Sequence, residues 1–92
     1  MDPILVHRDD ERFFADVDGQ TALIAYRLSP GVVTFTHAEV PEAFEGHGIA
    51  SAIAKTGLDW ARAEGLKVVP KCPFVADYIE RHPEYADLVV RG

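Results

Sequence analysis

Between a β-like stretch and a helical one the chain reads Val40-Pro41-Glu42-Ala43-Phe44-Glu45-Gly46-His47-Gly48-Ile49-Ala50-Ser51. Two glycines fall at the join. A glycine-rich turn that opens a helix leaves backbone N–H groups without intrahelical partners, and the helix dipole adds positive potential beyond them. The guest that suits such an end is a phosphate or pyrophosphate. The N–H groups from Gly46 to Ser51 are the candidate donors, with the Ser51 hydroxyl and the His47 ring as possible additions. A plain strand-to-helix turn needing glycine for positive φ also accounts for the pair, and a solvent-facing loop histidine accounts for His47. Two other phosphate loops fit worse. Ser51 stands at the third glycine position of a dinucleotide fingerprint, and hairpins precede the turn. No Gly-Lys-[Ser/Thr] follows, which excludes a Walker A loop.

Other residues can also carry chemistry. Cys72 stands beside Lys71 and just before Pro73, where a helix begins; a helix N-terminus and a lysine both favour a thiolate. A small buried cysteine at a strand end is the alternative. Glu39 closes a β-like run, and His37 shares its face if the strand is regular. Either can accept a proton; a solvated charge at a strand end is the plainer account of Glu39. His82 precedes Pro83 and reads as a helix end. Trp60, Phe13, Phe14, Phe35 and Phe44 read as core or rim aromatics. No set of His, Cys, Asp and Glu has the spacing of a metal site.

The elements that must position these residues follow from local pattern. Residues 4–7, 12–17, 21–28 and 32–40 read as four strands, rich in β-branched and aromatic residues. Asp18-Gly19 and Ser29-Pro30-Gly31 are tight turns between them, which makes neighbours antiparallel. After the glycine turn the period changes. Ile49, Ala50, Ile53, Ala54, Gly57, Trp60 and Ala61 recur at helical spacing, and Gly65 is a natural cap. The Ala/Gly stripe predicts close packing of this helix on the sheet. Lys67-Val68-Val69-Pro70 is a brief strand, parallel to the fourth through a right-handed crossover. Pro73 opens a second helix with Phe74, Val75, Tyr78 and Ile79 on its apolar face; Pro83 ends it, and one further turn follows from Glu84 to Leu88. The fold class is α+β with an α/β three-layer tendency: an antiparallel four-strand sheet, a helix, a parallel fifth strand and a C-terminal helix. The parallel crossover predicts a splayed sheet and a cleft near the end of the fourth strand.

Bulk properties bound the function. Ninety-two residues with 48% hydrophobic content make one domain, 1–92. The single cysteine fits a reducing cytoplasm, and the N-terminus lacks a secretory pattern. No apolar run is long enough to span a membrane. The net charge of −6 argues against nucleic acid and suits a cationic partner, an amine or a basic protein.

Two segments carry a family resemblance. Glu45-Gly46-His47-Gly48-Ile49-Ala50 resembles the acetyl-CoA loop of the GNAT N-acetyltransferase superfamily, [RQ]-x-x-G-x-[GA]. Residues 69–79, from Val69 to Ile79, with His82-Pro83-Glu84-Tyr85, resemble the tail of its small YjdJ-type members. The chain departs from the larger superfamily in having Glu45 where Arg or Gln is usual and in lacking the N-terminal helices. The resemblance implies a minimal acyl-CoA N-acyltransferase-like fold that binds acetyl-CoA through Val40, Glu45, Gly46, His47, Gly48, Ile49, Ala50 and Ser51. It implies acetyl transfer to an amine, either a small amine or a protein lysine or N-terminus. A backbone N–H near Val40 would bind the thioester oxygen, and Tyr78 would protonate the departing thiolate. Glu39 or His37 would take the amine proton, and Cys72 would lie near the thioester as acyl acceptor or pocket wall. A packed aromatic on the second helix is the other account of Tyr78. The rival function is a non-catalytic acyl-CoA-binding or protein-interaction module; a structural domain without any cofactor is a third. Either a monomer or a homodimer is expected.

Overall fold

A computed structural model of the chain describes residues 4–44, 46 and 48–90. Five strands form one sheet in sequence order: β1 (His7–Arg8), β2 (Arg12–Val17), β3 (Gln20–Ser29), β4 (Val32–Glu39) and β5 (Lys67–Pro70). The first four are antiparallel and β5 runs parallel to β4. Helix α1 (Ile49–Ala63) links β4 to β5, and α2 (Pro73–Arg81) follows. Short 3-10 turns lie at Glu42–Phe44 and Pro83–Leu88.

The turns form as their residues dictate. Asp18 and Gly19 both adopt positive φ, 52° and 79°, so Val17 meets Gln20 in a two-residue hairpin. β1 is shorter than the 4–7 run suggests. Asp9 Oδ1 accepts from the backbone N–H groups of Glu11 and Arg12 at 2.8 and 2.9 Å, closing a tight side-chain turn. Only His7 and Arg8 pair with β2, while Ile4 and Val6 contribute apolar contact without a ladder.

One face of the sheet is dry. Phe13, Ala15, Ala22, Ile24, Tyr26, Val33, Phe35 and Val68 are all buried. Against them pack Ile53, Ala54, Leu58 and Ala61 of α1 and Val75 and Ile79 of α2, in a single core. The small-residue stripe does bring α1 close: a Cβ on Gly57 would sit 3.1 Å from the Phe35 ring. Both helices share this core, and the alternate strand positions are half-buried or exposed, so the described residues form two layers.

Two irregularities shape the end of β4. The β3–β4 register shifts by one: Ala25 faces His37, but Tyr26 faces Phe35. Thr36 is the extra residue, a β-bulge that reverses the alternation beyond it. Ala38, opposite the buried Ile24, therefore joins the core face, and His37 and Glu39 turn to the other face. The second irregularity is a parting. β5 pairs with β4 only from Val32 to Phe35, and the last link is Cys72 N donating to Phe35 O at 2.8 Å. From Thr36 to Val40 the β5-facing edge of the chain has no strand partner among the described residues. This is the splay expected of the parallel crossover.

Candidate functional site

The free end of β4 runs through Val40 and the Glu42–Phe44 turn to the start of α1. Gly48 caps that helix in the left-handed conformation, φ 76°, and offers no side-chain cap. Gly46 has φ 81°. A Cβ at either glycine would meet nothing within 4 Å, so backbone conformation, not crowding by protein, demands glycine. Ala52 N donates to Gly48 O at 3.0 Å. The N–H groups ahead of it belong to a first turn that has no intrahelical acceptors and no acidic residue. These are the electrostatics of an anion-binding helix end.

A cavity of about 380 Å³ opens there. Val40, Phe44, Gly46, Gly48, Ala50, Ser51 and Phe74 line it. Five of the eight cofactor-binding candidates thus converge. Ile49 turns its side chain into the core at 6% exposure, so its backbone N–H is what it offers the helix start. Glu45 and His47 lie outside the described residues.

Tyr78 stands next to this cavity. Ser51 and Phe74 also line a smaller one of about 60 Å³, shared with Asp77, Tyr78, Arg81 and His82. Burial pushes the Tyr78 hydroxyl above the ordinary tyrosine range; the Lys55 ammonium opposes this, and the carboxylates of Asp59 and Glu84 add to the rise. Such a phenol stays protonated at neutral pH and can act as an acid. Asp59 also anchors the neighbouring Tyr85, whose hydroxyl donates to it at 2.6 Å.

The other candidates lie apart from the cavity. Cys72 is 1% exposed, among the core residues, and its N–H and C=O are both engaged, by Phe35 and Ala76. It caps α2 from within, and the buried-cysteine account describes where it sits. His37 and Glu39 do share a face, with Nε2 to Oε2 at 3.4 Å, but the Thr36 bulge puts that face on the outside of the sheet. There His37 lines a broad groove of about 990 Å³ with Arg27, Thr34, Thr36, Lys71 and the acidic pair Asp10 and Glu11. Thr36 and Lys71 bound the groove where β4 and β5 part. No group of three or more His, Cys, Asp or Glu among the described residues is placed to hold a metal ion. Among the described residues no helix is long and apolar enough to cross a membrane.

The chain matches the GCN5-related N-acetyl-transferase family over residues 12–88. It belongs to that family. Among its relatives is Protein NATD1 of Mus musculus, 34% identical over 86 residues, which span 88% of this chain and 78% of that protein. Protein NATD1 of Xenopus tropicalis is 34% identical over 91 residues, 90% of this chain and 84% of the other. The solution structure of a GCN5-like protein from Staphylococcus aureus shares the fold, with a TM-score of 0.76 at 22% identity, covering 98% of this chain and 91% of that one. These matches reach the GCN5-related family as a whole, not its YjdJ-type subgroup.

For this GCN5-related chain, the sequence did not mark Phe44 and Phe74 as cavity walls. Both carry ordinary apolar spacing, and only the fold brings them to the glycine turn. His82 reads in the sequence only as a helix end. No local signal tells that its ring stacks on Tyr78, although the four-residue spacing allows it.

Proposed function

We propose that this chain binds acetyl-CoA at the start of α1 and transfers the acetyl group to an amine. The observation that carries this is one cavity in which an uncapped helix start, two glycines at positive φ and the freed end of β4 meet. Its lining suits both halves of such a donor. The N–H groups and the Ser51 hydroxyl suit phosphates, and Val40, Phe44 and Phe74 suit an apolar arm. Bound there, the donor supplies a thioester whose carbonyl carbon accepts the amine as the C–S bond breaks.

The chain's own residues do the rest. The N–H groups of Ile49, Ala50 and Ser51 take up anionic oxygens. The unpaired backbone near Val40 donates to the carbonyl oxygen as negative charge develops on it. Tyr78 gives its proton to the departing thiolate. The acceptor enters by the outer groove, where His37, with Glu39 beside it, takes the ammonium proton directly or through water. Holding the two reactants on either side of the β4–β5 opening is the main source of rate.

Calorimetric titration with acetyl-CoA tests the donor site. Saturable one-to-one binding, followed by amine-dependent release of free thiol with a panel of a polyamine, a lysine peptide and an aminoglycoside, supports the proposal. No binding at millimolar acetyl-CoA sinks it. A non-catalytic acyl-CoA-binding module is the second reading. It is favoured by the exposure of His37 and Glu39, 59% and 67% at their side chains, facing each other rather than the donor cavity. It predicts binding with no thiol release from any amine.

A further inference from the structure

Tyr78 sits near the end of α2, where helical carbonyls lose their partners. The N–H that would serve its C=O belongs to His82, but that N–H donates to Ile79 O at 3.1 Å instead. Pro83 follows and cannot continue the helix. The Tyr78 carbonyl is met by the His82 ring, with Nδ1 at 2.8 Å. A carbonyl only accepts, so Nδ1 carries the hydrogen and the ring's orientation is fixed. The same ring lies flat on Tyr78, with centroids 4.0 Å apart and planes 18° from parallel. Tyr85 stands 6.1 Å from Tyr78, and its hydroxyl is tied to Asp59 of α1. Tyr78 and His82 line the same small cavity with Ser51.

We propose that His82 is a positioning residue for Tyr78. Its ring, stacked on the phenol and bonded to the carbonyl of the same residue, holds the Tyr78 side chain against the Ser51 end of the donor site. Ending the helix needs only Pro83, and water can serve a carbonyl at a helix end. What the imidazole adds is a flat partner that removes alternative rotamers of the tyrosine before the reaction needs it. The inference rests on the proposed role of Tyr78 as proton donor.

The test uses the full chain with tyrosine labelled by carbon-13 at Cζ. The chain has three tyrosines, and Tyr78→Phe assigns the signal. Free CoA is the probe. In the unsubstituted protein the Tyr78 signal moves as CoA saturates. His82→Ala leaves the CoA dissociation constant within about threefold but removes more than half of that movement. His82→Phe, which keeps the stacked ring, restores it; His82→Gln, which keeps a donor for the carbonyl but no ring, does not. In turnover, His82→Ala lowers kcat by about tenfold with KM for acetyl-CoA unchanged. A full Tyr78 shift in His82→Ala, or equal shifts in the Phe and Gln variants, overturns the inference. Where His82→Ala fails to fold, the Phe and Gln pair decides. If saturating CoA leaves the unsubstituted Tyr78 signal still, the proton-donor role falls and the inference with it. That failure appears before any substitution and is told apart by it.

Discussion

At the scale of residues, Tyr78 and Cys72 were alike on paper: each a reactive type at the edge of α2. Their surroundings separate them. Tyr78 lines a cavity that shares Ser51 and Phe74 with the one at the glycine turn, while Cys72 is sealed in the core. Tyr78→Phe keeps the stack on His82 and removes only the acid. It lowers kcat by about a hundredfold or more, with acetyl-CoA affinity held, in a thiol-release assay. Cys72→Ala leaves turnover and sequential kinetics intact while costing about 1 kcal/mol of stability in urea unfolding, for the loss of a small packed group. Ping-pong kinetics abolished by Cys72→Ala would restore the thiol to the mechanism. Phe44 and Phe74 show the converse case, since residues without reactive atoms still build the walls of the site.

At the scale of elements, one bulge decides which face carries the outer charges. With all of β4 paired in unbroken alternation, His37 and Glu39 would follow Val33 and Phe35 into the core. Deletion of Thr36 joins Phe35 directly to His37, so Ala38 still faces the core, His37 and Glu39 still face out, and the ladder becomes regular. The deletion variant therefore keeps cooperative thermal unfolding by circular dichroism. Loss of that cooperativity would show that the extra residue itself is needed to hold the end of β4. The same end of β4 loses its β5 neighbour after Phe35, so a bulge and a parting together create one free backbone stretch between two cavities.

At the scale of the whole molecule, α1 and the last turn are joined by a polar seam. Lys55 and Tyr85 both donate to Asp59, and Arg62 pairs with Asp87 and donates to Glu84 O. Burial acts to raise the Asp59 carboxyl, but the hydrogen bonds from Lys55 and Tyr85 outweigh it and hold it below 3.8. The Arg62 hydrogen bond does the same for Asp87. Burial pushes up both Tyr78 and Tyr85, with Asp59 adding to each. The signs give opposite edges. The aspartates contribute stability above 3.8 that is lost as pH falls through their depressed values. The tyrosines contribute stability below 10.0 that is lost as pH rises, because the unfolded chain ionises first. The urea midpoint is accordingly flat from about pH 5 to 9 and drops on both sides. Tyr85→Phe removes much of the alkaline drop; an alkaline limb untouched by it would assign that edge elsewhere.

Much of this was written in local pattern. Alternation, Asp18-Gly19, Pro30-Gly31 and the change of period at Gly48 determine four antiparallel strands, a helix, a fifth strand and a second helix. Local steric preference and burial set these, and each acts within a few residues. The glycine turn announced its helix start and its cavity for the same reason. The first strand came out shorter, since only His7 and Arg8 join the ladder, and the outward turn of Glu39 hangs on a bulge that no alternation rule reveals. The walls of the cavity and the burial of Cys72 join residues more than thirty positions apart. Only the tertiary structure decides those, because packing between elements, not propensity within them, selects which neighbours meet.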